Sequence, residues 1–190
     1  MPLERLDYVR LSCLELAAFE IYSKGIAGNV AELGVYKGDF AASINQVFND
    51  RKLYLFDTFE GFHDNDKGTE VSNNYSDATQ DFSDTSVEHV LAKMPNKQLC
   101  IVRKGFFPET AQGLEDTFCL VSIDTDLYAP IYAGLQYFYP RLAKGGYIMV
   151  HDFNNDQYKG ARDAVYKFCS EMNIGYVPIG DIGGSVIITK

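Results

Sequence analysis

Val30-Ala31-Glu32-Leu33-Gly34-Val35-Tyr36-Lys37-Gly38 decides the fold: an apolar run enters a glycine-bearing turn, and residues 39–48 continue at helical spacing. A strand that feeds such a turn and then a helix is the opening unit of an α/β sheet. At its carboxyl edge a ligand approaches the backbone closely, so glycine is wanted there. The spacing is Gly-x-x-x-Gly, not the Gly-x-Gly-x-x-Gly of dinucleotide binders, and Glu32 stands just before the turn. A loop built for an anion would not carry that carboxylate; one built for a cationic ligand tolerates it.

Outward from this stretch, strands and helices alternate in the manner of βαβ units. Apolar residues recur at helical spacing over 6–22, and residues 1–28 form an N-terminal helical segment leading into the first strand, 29–33. After the helix at 39–48 come a strand at 52–56, a helix at 86–93, and strands at 99–102 and 117–123. A helix at 130–142, a strand at 147–151 and a helix at 160–172 follow. Two extended pieces, 176–179 and 185–189, are joined through Gly180-Asp181-Ile182-Gly183-Gly184 as a hairpin, so the last strand should run antiparallel. The expectation is an α/β, Rossmann-like fold: one domain over 1–190, with a mostly parallel seven-stranded sheet, an antiparallel last strand and helices on both faces. The long polar stretch 63–86 exceeds a plain connection and reads as a lid or an excursion over the site.

The bulk properties agree with a globular domain. Hydrophobic residues make up 46% and aromatics 14% of the 190 residues, which excludes disorder. A net charge of −9 argues against nucleic acid or an anionic membrane as partner. Cys13, Cys100, Cys119 and Cys169 lack zinc spacing and read as reduced thiols. The opening residues do not resemble a signal peptide and there is no apolar run of about 18 residues, so a cytoplasmic protein is expected.

Two further motifs carry chemistry. Asp57 ends the second strand in Phe56-Asp57-Thr58-Phe59-Glu60-Gly61-Phe62, where a carboxylate can accept both ribose hydroxyls of an adenosine. Beside Glu32, this suits S-adenosylmethionine, which bears a sulfonium and an ammonium. Asp124 and Asp126 end the fourth strand, and His151, Asp152 and Asn154 end the fifth. Parallel strands bring these to one crevice, and oxygen ligands on adjacent strands suit a hard divalent cation such as magnesium. His63 and His89 follow no metal-type spacing.

Ala31-Glu32-Leu33-Gly34-Val35, Asp57-Thr58-Phe59-Glu60-Gly61-Phe62, Lys104-Gly105-Phe106-Phe107-Pro108-Glu109-Thr110, Ile123-Asp124-Thr125-Asp126-Leu127-Tyr128 and Gly145-Gly146-Tyr147 with His151-Asp152 together resemble the macrocin O-methyltransferase family. The resemblance implies a class I methyltransferase that uses S-adenosylmethionine, with magnesium, to methylate a hydroxyl of a sugar or glycosylated small molecule. By it, Ala31, Glu32, Leu33, Gly34, Gly38, Asp57, Thr58, Phe59, Gly105 and Asp124 contact the cofactor. Asp124, Asp152 and Asn154 are the metal ligands, and Asp126 is the general base, with Asp124 and His151 beside it as catalytic residues. Pro2-Leu3-Glu4-Arg5 resembles the segment that in the family closes over the cofactor. The family usually carries two adjacent acids at the end of strand five. Here Phe153 follows Asp152, so the third ligand falls to Asn154 or His151. The longer N-terminal region that in the family helps build the acceptor site and the oligomer is largely absent, which leaves room for a smaller acceptor; a homo-oligomer is still expected. A nicotinamide-dependent oxidoreductase is disfavoured by Glu32 and the missing glycine fingerprint, while a non-catalytic cofactor-binding or scaffold protein stays as the alternative.

Overall fold

The computed structural model describes residues 7–190. Pro2-Leu3-Glu4-Arg5 and the start of the expected first helix lie outside the described residues. Seven strands form one sheet in the order β3-β2-β1-β4-β5-β7-β6. They are β1 (Asn29–Leu33), β2 (Leu53–Asp57), β3 (Cys100–Lys104), β4 (Phe118–Ile123), β5 (Leu142–Val150), β6 (Val177–Ile179) and β7 (Ser185–Thr189). β1 pairs in parallel with both β2 and β4. The chain builds outward from β1 to β3 and then returns to β4, so the strand order reverses at β1 and β4, where open α/β sheets bind ligands. β7 runs antiparallel to β5 and to β6, as the hairpin reading requires.

Helices cover both faces. Ala31 and Leu33 of β1 pack with Leu135 and Phe138 of α5 (Tyr128–Arg141) and Phe168 of α6 (Lys159–Met172). Val30, on the opposite pleat, packs with Leu14 and Ile21 of α1 (Tyr8–Ser23), Phe40 and Ile44 of α2 (Asp39–Val47), and Val90 of α4 (Val87–Lys93). Strand alternation therefore turns Glu32 toward α1 and α2.

The buried stripe of α1 is Arg10, Leu14, Ala17, Ala18 and Ile21, a helical repeat with an arginine in a core position. Leu16 and Phe19, apolar and in sequence candidates for that stripe, are each 64% exposed. Some departures are of boundary only. α5 starts at Tyr128 rather than 130. β5 begins at Leu142 instead of 147, because Leu142 pairs with Phe118 ahead of an irregularity in the β4 ladder.

The polar stretch 63–86 contains a helix the pattern does not announce, α3 (Asp64–Ser72). Its sequence Asp-Asn-Asp-Lys-Gly-Thr-Glu-Val-Ser has almost no apolar face. A buried acid fastens it instead: Glu70 Oε1 accepts the Tyr128 N–H at 2.5 Å, and Oε2 accepts Ser76 Oγ at 2.9 Å. Glu70 thereby caps the N-terminus of α5, which has no side-chain cap of its own. Among the described residues no helix is long and apolar enough to cross a membrane.

Candidate active site

A cavity of about 580 Å³ opens at the carboxyl ends of β1, β2, β4 and β5, within the size range of small-molecule sites. Its floor is Glu32, Leu33 and Gly34, and it takes in Asp57, Thr58, Gly105, Asp124, Asp126, His151 and Asp152. Phe62, His63, Asp66 and Phe82 also line it, so the 63–86 stretch does border the site. There Phe62 and Phe82 meet edge to face at 5.0 Å and His63 stacks on Phe106 at 4.2 Å. Four residues expected at the site are elsewhere. Ala31 lies in the core, Phe59 is buried against the α1–α2 side, and Gly38 begins α2 with Val90 behind it. Asn154 is exposed, its side-chain oxygen held by Arg162.

Gly34 is needed for a reason other than ligand approach. At φ +84°, a Cβ on it would lie 1.9 Å from the Asp124 carbonyl oxygen, because the end of β4 crosses directly over the turn. The turn after it is tied to β2 by Asp57, whose Oδ2 accepts the Val35 and Tyr36 N–H groups at 2.6 and 2.9 Å and whose Oδ1 accepts Phe59 N–H at 2.6 Å. A carboxylate has about four acceptor positions, so one remains for a ligand hydroxyl. Thr58 spends its hydroxyl within its own turn, donating to Gly61 O and accepting from Glu60 N–H.

Glu32 is 1% exposed, and its Oε2 has no hydrogen-bond partner. Burial pushes its carboxyl well above the ordinary range; Asp124 and Asp57 add to this and Arg10 opposes it. An unpartnered acidic oxygen at a cavity wall is a place for a cationic group, which fits the ammonium of S-adenosylmethionine.

At the ends of β4 and β5, Arg10 reaches in from α1. Its Nη1 donates to Asp124 Oδ2 at 2.7 Å, its Nη2 to Ser122 Oγ at 3.2 Å, and its guanidinium lies 3.9 Å over the Phe40 ring. Asp7 sets the start of α1: Oδ1 caps Val9 N–H at 2.8 Å, and Oδ2 accepts the Ile182 N–H. His151 Nδ1 lies 3.2 Å from Asp124 Oδ1 and 3.0 Å from Asp152 Oδ2, and its Nε2 lies 2.8 Å from the Ile182 carbonyl. Both ring nitrogens thus face pure acceptors, and the ring carries both protons. Burial works against that charge, but the two carboxylates prevail and raise its pKa to about 10. Asp124 moves the other way: burial would lift it, yet Arg10 and His151 hold it well below the usual carboxylate range. Asp126 is raised, first by burial and then by the neighbouring Asp152 and Asp124 charges. Asp126 and Asp152 both sit at left-handed φ, +58° and +60°, a conformation that aspartate adopts more readily than most residues.

The expected cation site can be tested on these atoms. One ligand atom each from Asp124, His151 and Asp152 lies within 4.8 Å of the others, so His151, not Asn154, completes the trio. The trio nevertheless does not fit a hard divalent cation. Arg10 already brings a permanent positive charge to Asp124 at 2.7 Å, Asp152 accepts from Asn155 Nδ2 at 2.9 Å, and the third member is an imidazole, a nitrogen ligand that hard oxygen-seeking cations disfavour. Arg10, Ser122 and the Ile182 carbonyl were invisible to motif reading. The available signal was Arg10 standing in register with Leu14, Ala17 and Ile21, a charge on a core stripe that demands an acid opposite.

Comparison with known proteins agrees with this geometry. The family model described as Macrocin-O-methyltransferase (TylF) matches residues 6–188. An 8-demethyl-8-(2,3-dimethoxy-alpha-L-rhamnosyl)-tetracenomycin-C 4'-O-methyltransferase from Streptomyces olivaceus is 23% identical over 95% of this chain and 72% of its own length. A demethyldecarbamoylnovobiocin O-methyltransferase from Streptomyces niveus is 24% identical over 80% of this chain and 60% of its own. The crystal structure of CalS11, a calicheamicin methyltransferase, superposes with a TM-score of 0.74 at 19% identity, covering 95% of this chain and 78% of that one. With the family model matching nearly the whole of its 190 residues, the chain belongs to the macrocin O-methyltransferase family of S-adenosylmethionine-dependent class I enzymes.

Proposed function

We propose that this enzyme methylates a hydroxyl on a sugar or glycosylated small molecule, with Asp126 as the base. The observation that carries the reading is the split within one cavity: an unpartnered buried acid, Glu32, on the β1 side and a raised acid, Asp126, on the β4 side. The rhamnosyl, novobiocin and calicheamicin relatives support a glycoside acceptor.

S-adenosylmethionine, when bound, supplies a methyl group on a sulfonium. Glu32 would receive its ammonium, and Asp57, with its one remaining acceptor position, a ribose hydroxyl. Leu33, Gly34, Thr58 and Gly105 would lie along the same ligand. Phe62, Phe82 and Phe106 shield the reacting groups from water. In the transfer, a lone pair of the acceptor hydroxyl forms the new O–CH₃ bond, the S–CH₃ electrons stay on sulfur, and the hydroxyl proton passes to Asp126. A carboxylate whose pKa is raised by burial and like charge is a stronger base than a free one, which suits a poor nucleophile. His151, already doubly protonated, orients Asp124 and Asp152 instead of taking that proton.

Calorimetric titration with S-adenosylhomocysteine tests the cofactor half: binding is expected for the unmutated protein and loss of at least about tenfold in affinity for Asp57→Ala. A panel of glycosides against their aglycones tests the acceptor half, with methyl incorporation expected only where the sugar is present. Failure of the first assay removes the enzyme reading and favours a scaffold role. Methylation of aglycones would remove the glycoside.

A further inference from the structure

We infer that Arg10 stands in for the divalent cation: its guanidinium neutralises Asp124 at the reaction edge, so that this enzyme's methyl transfer runs without a metal. The inference rests on the proposed methyl transfer but is carried by separate observations. Arg10 is 9% exposed and occupies a position on α1 that otherwise holds core residues. Three contacts fix its guanidinium: Asp124 Oδ2 at 2.7 Å, Ser122 Oγ at 3.2 Å and the Phe40 face at 3.9 Å; the start of its helix is itself pinned to the Ile182 loop by Asp7. It lines the same cavity as Asp126. An arginine cannot shed its proton at any physiological pH, so the charge it brings is permanent.

Asp124 already faces two positive groups, Arg10 at 2.7 Å and the His151 ring at 3.2 Å, and one carboxylate cannot offset a dication as well. A divalent ion ligated by that carboxylate would sit beside a guanidinium that is 9% exposed and held in place by Ser122 and Phe40, and their repulsion is only partly screened. The residue that removes the need for a metal is thus also the one that keeps it out. The chemical consequence is a change in where activation comes from. A guanidinium N–H can orient a hydroxyl oxygen but acidifies it less than a dication does, so proton removal falls on Asp126. The bonds made and broken are those of the transfer described above, with no co-reactant added.

Manganese(II) alone is the probe, followed by the loss of its free-ion electron paramagnetic resonance signal, with thermal unfolding and S-adenosylhomocysteine titration on the same samples. The unmutated protein is expected to leave the signal unchanged and to melt at the same temperature with manganese or with a chelator. Arg10→Gln is expected to bind manganese at least about tenfold more tightly, because Asp124 is then left without its cation. Stoichiometric manganese binding by the unmutated protein overturns the inference, and so does an Arg10→Gln protein that gains none. If Arg10→Gln does not fold, Arg10→Lys decides: a retained cation is expected to exclude manganese, and binding overturns the assignment. Absent S-adenosylhomocysteine binding would strike the functional reading instead, and is read separately from the manganese signal.

Discussion

Asp57 and Asp124 end β2 and β4, the strands that flank β1 on its two sides, yet they are neutralised in different ways. Asp57 takes three backbone N–H groups from residues no more than 22 positions away. Asp124 takes a guanidinium from a helix 114 residues earlier and an imidazolium from the neighbouring strand. Peptide dipoles hold the first acid and shape a turn around it. Full charges hold the second, and what they build is an electrostatic environment for Asp126. The proposed cofactor half is thus a local structure and the proposed reaction half a long-range one.

The variant that should break both halves together is Gly34→Ala, since the Asp124 carbonyl occupies the space a Cβ needs. Backbone cannot yield there without unpairing β1 from β4, and a loss of roughly 4 kcal/mol or failure to fold is expected in denaturant unfolding. Next in size is Asp126→Asn, which sharpens the division. It should lower kcat by about 10² to 10⁴ while leaving S-adenosylhomocysteine affinity within about twofold. Equal loss of both would mean that Asp126 belongs to the cofactor half.

The same division explains what the sequence discloses. Alternating strands and helices, the hairpin and the acids at strand ends are local patterns, and they recur in the structure with shifted boundaries, the start of β5 by five residues. Asp57 is legible because the strand that ends on it and the turn that follows are written in consecutive residues. Arg10 is not, since its meaning depends on a strand end 114 residues away, and Asn154 was overvalued because a polar side chain at the right offset says nothing about which way the chain turns. It turns because Phe153 and Asn154 pair their N–H groups with Gly184 and Gly183 carbonyls, at 2.8 and 2.9 Å, which points Asn154 at Arg162. α3 escapes for the same reason as Arg10: a buried carboxylate, Glu70, docks it, and no apolar stripe records that.

Paired amide variants measure the contrast directly. Asp124→Asn removes the charge facing a buried guanidinium, and a stability loss of about 3 kcal/mol is expected. Asp57→Asn keeps an oxygen for part of its N–H set and should cost about 1 kcal/mol, with a larger effect on S-adenosylhomocysteine affinity than on folding. A reversed order, with Asp57→Asn the more damaging to stability, would mean that dipoles rather than charges dominate at this edge.

The pH dependence that His151 confers has the clearest sign. His151 is raised in the folded protein to about 10 from an ordinary value of 6.5. The protonated ring therefore stabilises the fold in full below about pH 6.5, progressively less as pH rises from there, and not at all above about 10. His151→Gln removes that contribution at every pH. The difference in stability between the two proteins should be largest near pH 6 and shrink toward zero by pH 10, followed by denaturant midpoints across that range. A difference that stays constant with pH would show that the ring acts by packing. A difference that grows with pH would show a neutral ring in the folded state, and with it an Asp124 that relies on Arg10 alone.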